Sequence, residues 1–286
     1  MAYTATHMMR LSDGKSLAAR IKDITKAITV HDAASHNSQY YMEKIGNVVT
    51  DEQWQAIGDG TFKGLYPGCY WRITFPAYSW EDENGATHNE ASATMNFRIA
   101  GCDTRLGTGS YNLQTHHLEI VPAEALFDAP MNLTNTTEGG YLGSKMVTNY
   151  LRRAEALIKA AFSDGDGGDH ILPYREYYHN AVTDGRSSGG VWATRCVDLM
   201  TEQMVYGSKI YGVASDGGST VPVLATTCKT QLPFFRYRPE RISNRISFWL
   251  RDIVNDKAFA NVQENGLSYS RNASVTLGVR PSFLIY

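Results

Sequence analysis

Groups able to do chemistry are scattered along this chain, and few stand at the spacings that chemistry requires. The acidic run Asp164–Asp169 alternates carboxylates with glycine as a calcium loop does, but Arg175 stands where the closing bidentate Glu belongs. His116 and His117 are adjacent, and neighbours along a strand point to opposite faces, so the pair does not grip one ion. No metal site and no cofactor is expected. Glu119, Glu124, Asp128 and Glu138 offer carboxylates, yet no spacing singles out two of them for acid–base work. His-Glu-x-x-His and phosphate-loop patterns do not occur. Cys69, Cys102, Cys196 and Cys228 lie far apart and read as buried free thiols. The expectation is a protein that is not an enzyme.

Chemistry of recognition is concentrated elsewhere. Asn261, Gln263, Asn265, Ser268, Tyr269, Arg271 and Asn272 bring amides, a hydroxyl, a guanidinium and an aromatic ring into one short segment. Asn265-Gly266 fits a type I′ hairpin turn, and alternation sends Asn261 and Gln263 to one face and Val262 to the other. Such groups suit sugar hydroxyls or a protein epitope, through directed hydrogen bonds and stacking. Asn261, Gln263, Asn265, Tyr269, Arg271 and Asn272 are therefore the candidate ligand-binding residues. An ordinary polar hairpin accounts for the same residues equally well.

The elements that must position them begin with a helix over 12–30. Leu17, Ile21, Ile24 and Ile28 recur at spacings of four, three and four, the pattern of a short oligomerising stem or of a helix lying against its own domain. Residues 31–47 are polar and read as a linker. Thr50-x-x-Gln53 is a capping box for a short helix. Strands are predicted over 65–73, 97–102 and 117–122, with 79–94 a polar loop. A helix from about Ser144 turns Met146, Tyr150, Ala154, Leu157, Ile158 and Ala161 to the core. Pro173 can open a short helix through Tyr177, and a second long helix is predicted from Trp192 to Ile210. Trp249 reads as a core anchor, with Arg280 free to pair with Asp252. The resulting class is α+β, with residues 1–47 as stem and linker and 48–286 as one domain.

Composition narrows the function further. A 43% share of apolar residues supplies a real core, which excludes global disorder. A net charge of −2 without a long basic run disfavours nucleic-acid binding. No apolar run reaches the roughly 18–20 residues of a membrane helix, and the N-terminus lacks the blocks of a signal peptide. Seventeen tyrosines suit either a recognition surface or a strand-rich core.

The order Phe248-Trp249-Leu250-Arg251-Asp252, Asn265-Gly266 and Gly278-Val279-Arg280-Pro281 resembles the C-terminal end of C-type-lectin-like (formylglycine-generating-enzyme-like) domains in bacteriophage and prophage virion proteins. His117–Pro122, Asn132–Tyr141, His170–Pro173 and Met204–Gly207 look like stretches of structural proteins from phages of gut bacteria, extending the likeness over residues 46–286. The resemblance implies a C-type-lectin-like domain of short twisted antiparallel strands with two main helices. It also implies a virion protein, tail- or head-associated, that binds a bacterial surface glycan or protein among other virion proteins. The stem spacing of Leu17, Ile21, Ile24 and Ile28, with Ile in the core slots, adds assembly as a homotrimer. Capsid or tail decoration is the alternative, and a polysaccharide-degrading enzyme a third. Formylglycine-generating enzymes use a pair of reactive cysteines, and none stands near the C-terminal signature here.

Overall fold

The computed structural model describes residues 32–109, 112–163, 169–180, 182–183, 186–187, 190–212, 231–243 and 245–286. The stem positions Leu17, Ile21, Ile24 and Ile28, residues 164–168 of the acidic run, and Cys228 lie outside them.

The architecture is α+β, with sheet outweighing helix. Thr50 accepts a hydrogen bond from the Gln53 N–H at 3.3 Å, and the Gln53 side chain accepts from the Thr50 N–H at 3.1 Å. That reciprocal cap starts one of five helices among the described residues. In chain order they are α1 (Ala33–Asn37), α2 (Asp51–Gly58), α3 (Leu151–Phe162), α4 (Glu202–Tyr206) and α5 (Pro233–Tyr237). A π-helical turn, Met146–Tyr150, leads into α3.

Strands are likewise numbered in chain order. The larger sheet runs β1 (Lys44–Gly46), β2 (Tyr70–Phe75), β5 (Ala93–Cys102), β6 (Leu118–Pro122), β17 (Pro281–Ile285), β12 (Val197–Leu199), antiparallel except between β1 and β2. The second runs β15 (Ser268–Asn272), β14 (Ala258–Val262), β13 (Phe248–Ile253), β16 (Thr276–Val279), β7 (Phe127–Pro130), with β13 and β16 parallel. Three ribbons complete the fold: β3 (Tyr78–Glu81) with β4 (Thr87–Glu90), β8 (Tyr174–His179) with β11 (Gly190–Arg195), and β9 (Val182–Thr183) with β10 (Arg186–Ser187).

One core forms where α3 lies on the larger sheet. Phe162 packs edge-on against Phe97 and Phe283, with centroids 5.1 and 5.2 Å away. Trp249, Ile253 and Phe259 of the second sheet join this core. Phe248, Leu250, Ala260 and Val262 alternate with them and enter a separate cluster with Phe234 and Phe235. Strands β13 and β14 are thus covered on both faces, so Phe248-Trp249-Leu250 and Ala258-Phe259-Ala260 read as unbroken apolar runs. The Trp249 indole N–H donates to the Ala129 carbonyl at 2.9 Å, tying β13 to β7. Trp249→Phe should cost about 1–3 kcal/mol, because that carbonyl stays buried without its donor. The urea midpoint reads this, and an unchanged midpoint would count against the indole as a structural tie.

Several sequence expectations need correction. Residues 32–46 are no irregular linker: α1 begins at an Asp32 cap, His36 is buried with its Nδ1 donating to the Leu65 carbonyl, and β1 joins the larger sheet. The folded unit therefore starts ahead of residue 48. The polar stretch 79–94 is the β3–β4 ribbon and the start of β5, since alternating polar side chains on a solvated ribbon carry no apolar signal. Residues 174–179 form β8 instead of a helix. The segment 192–210 is not a long helix either: it divides into β11, β12 and the five-residue α4, so α3 is the single long helix described. The Gly278–Ser282 signature is two strands in different sheets, β16 and β17, joined at Arg280. Arg280 donates to the Pro122 carbonyl and has no ion pair with Asp252.

A buried charge cluster joins these parts. Arg105 contacts Glu119 on β6 at 3.0 Å and Glu176 on β8, while Arg251 on β13 contacts Glu176 at 2.5 Å and Asp198 on β12 at 2.8 Å. Asp198 also accepts from the Tyr141 and Tyr178 hydroxyls. Burial alone would push the Arg251 guanidinium down, but Glu176, Tyr178 and Asp198 hold it well above its ordinary value. Glu119, free in the sequence reading, is thereby committed to an ion pair.

Candidate functional site

The site grows outward from a buried carboxylate. Thr201 caps α4 by accepting the Met204 N–H, and Gly207, at φ +82°, ends the helix after five residues. Glu202, in its first turn, is fully buried. Its carboxylate accepts from the backbone N–H groups of Ile210, Tyr211 and Gly212 at 2.8–3.0 Å, and from the Ser268 hydroxyl at 2.6 Å. One acid thus clamps the 210–212 turn to β15. Gly212 is required by the closeness of the clamp: a Cβ there would stand 2.8 Å from the Asp252 Cβ. Asp252 accepts the Glu202 N–H at 2.6 Å. Burial first, and then the Glu202 charge, push its carboxyl up to about 6.

The clamp sets Tyr211 beside Tyr269, ring centroids 6.0 Å apart and tilted by 61°. Arg271, two residues along the same face of β15, lays its guanidinium 4.9 Å over the Tyr269 ring. Ile210, next to Tyr211 in the chain, and Leu267, two residues before Tyr269, are exposed at 52% and 61%. The surface is an apolar and aromatic platform with one guanidinium, carried on the edge strand of the second sheet.

The predicted binding residues divide over this geometry. Tyr269 and Arg271 are brought together and exposed. Gln263 is half-buried and Asn265 exposed at the hairpin tip, where Asn265 Oδ1 accepts the Leu267 N–H at 3.1 Å. Asn272 is exposed, but alternation places it on the opposite face from Tyr269 and Arg271. Asn261 is wholly buried, with neither amide atom hydrogen-bonded among the described residues. The alternation argument fails there because both faces of β14 are covered. The turn also differs from expectation. Gly266 has φ +87° while Asn265 has no positive φ, and Gln263 N–H bonds to the Leu267 carbonyl. This is a three-residue loop with a glycine bulge instead of type I′.

No family model, curated protein or solved structure matches the chain. Glu202, Ile210 and Tyr211 were missed in the sequence because their segment reads as a long helix. The cap at Thr201, with Gly207 six positions on, was the available signal of a helix too short to reach them.

The histidines and thiols singled out in the sequence have other surroundings among the described residues. His117 is buried, its Nδ1 donating to the Thr115 carbonyl and its Nε2 accepting from the Arg105 N–H; burial pushes its imidazole down. His116 instead meets the Asp103 carboxylate at 2.7 Å. Burial raises the thiols of Cys69, Cys102 and Cys196, away from the thiolate a nucleophile needs. Among the described residues, no group of three or more His, Cys, Asp or Glu could hold a metal, and no helix is long and apolar enough to cross a membrane.

Proposed function

We propose that this chain is a non-catalytic virion protein of a bacteriophage that binds a receptor on the bacterial surface. The observation that carries the binding role is the platform of Tyr211, Tyr269 and Arg271, held in place by the buried Glu202 clamp. Rigid aromatic rings beside a guanidinium make a contact surface that loses little entropy on binding. The virion context rests on the sequence resemblance, and so does the reading of the two sheets and α3 as a C-type-lectin-like domain. Assembly as a homotrimer through Leu17, Ile21, Ile24 and Ile28 would multiply a weak single contact.

A second reading has its own support. Ile210 and Leu267 present aliphatic surface that sugar hydroxyls do not satisfy, which favours a protein partner and hence decoration of a capsid or tail. A glycan array and adsorption to a panel of gut bacteria test the first reading; binding to purified capsid or tail-tube protein tests the second. Tyr269→Ala and Arg271→Ala should each weaken receptor binding about tenfold, with the melting temperature unchanged. Asn272→Ala, on the other face, should leave it unaltered. Equal binding by all three variants would move the receptor site off this platform.

A further inference from the structure

Arg280 is a buried cation without an acid. It sits at the crossover from β16 to β17 and is 1% exposed. Its Nε donates to the Pro122 carbonyl at 3.0 Å, and its guanidinium lies 5.1 and 5.5 Å from the ring centres of Phe248 and Phe235. Arg98, half-buried on β5, donates to the Gly68 carbonyl at 3.0 Å. Neither arginine has an ion pair among the described residues. Together with Arg241 and Arg245 they line one cavity of about 410 Å³. The carboxylates described on its wall are Glu124 and Glu240, both exposed, and Glu240 already meets Arg238 at 3.2 Å.

Like charges converging on one space repel, and burying a guanidinium without a counter-ion is costly. Burial first, and then Arg98 beside it, bring Arg280 down to about 9. An anion in the cavity would relieve both costs. Four guanidiniums also offer more N–H donors than the two oxygens of a single carboxylate accept, whereas a tetrahedral oxyanion has oxygens on several sides. The space is large enough for such an ion with part of the molecule that carries it. We propose that this cavity is a binding site for a phosphate-class oxyanion, free or as a phosphate ester, gripped by Arg98 and Arg280 at its base and by Arg241 and Arg245 at its rim. The site is separate from the Tyr269 platform, touching that hairpin through the Ser243 hydroxyl on the Glu264 carbonyl. Its sequence trace is Arg236, Arg238, Arg241 and Arg245 within one short segment, a cluster too sparse to register as a basic run.

Calorimetric titration of the full chain with inorganic phosphate, glycerol 3-phosphate and acetate at matched ionic strength tests the site. Phosphate and its ester should bind and raise the melting temperature, and acetate should not. Tighter binding of glycerol 3-phosphate would identify an ester as the ligand; tighter inorganic phosphate would identify the free ion. Arg98→Met should lower phosphate affinity about tenfold or more. Arg245→Ala, at an exposed rim position that leaves the fold intact, should lower it by a smaller factor. Arg280→Met should abolish the response. Absence of phosphate binding, equal binding of acetate, or affinity unchanged in both Arg98→Met and Arg245→Ala would each overturn the proposal.

Discussion

Replacing Arg251 with leucine should cost about 3–5 kcal/mol, a large part of the ~5–15 kcal/mol that holds a typical domain together. The guanidinium stands between Glu176 and Asp198, and all three side chains are out of water. Removing it leaves two buried carboxylates facing each other, with Arg105 still partnered to one of them. The melting temperature should fall by about 10 °C or more. Leucine at 251 together with leucine at 176 and asparagine at 198 should recover much of the loss, because a buried ion cluster is worth little more than apolar packing of similar volume. A single variant that melts with the parent would show that the cluster carries no weight.

Glu202→Gln tests the clamp and the platform together. The amide keeps the shape but has one oxygen to accept where the carboxylate has two, so at least one of the four donors is left unpaired. Loss of charge-assisted bonds predicts about 2–4 kcal/mol of destabilisation. The amides of Ile210, Tyr211 and Gly212 should lose hydrogen-exchange protection first, and receptor binding should fall with them as Tyr211 leaves Tyr269. Protection unchanged at those three amides would sink the idea that Glu202 holds the turn. The neighbouring Asp252 adds a pH signature. Its folded carboxyl titrates near 6 instead of 3.8, so between these values the folded state keeps a proton that the unfolded chain releases. Stability contributed by protonated Asp252 is therefore complete below about pH 4 and lost as pH rises through about 6. Asp252→Asn should remove that slope; a slope of opposite sign would exclude this assignment.

The parts of this fold legible in the sequence were those set by local rules. The Thr50–Gln53 cap, the buried stripe of α3, the β6 run and Trp249 as an anchor all follow from spacing and residue type. The failures share a cause in tertiary context. Arg175, Glu176 and Tyr177 have acceptable helix propensity, yet Glu176 is drawn into the ion cluster and the backbone pairs with β11. Asn261 looks like a surface amide until β14 is found covered on both sides. Of the site, Tyr269 and Arg271 could be read from their alternation. Tyr211 could not, because a contact across 58 positions leaves no mark in either segment.

Strand β17 lies inside the larger sheet, between β6 and β12, though it comes after every other strand in the chain. During synthesis β6 must wait, one edge open, until residues 281–285 have been made. The cost is kinetic: pairing at this sequence separation is slow, and the waiting intermediate presents apolar β6 to any other nascent chain. Cooler expression and an intact C-terminal segment should therefore matter more for soluble yield than any surface substitution.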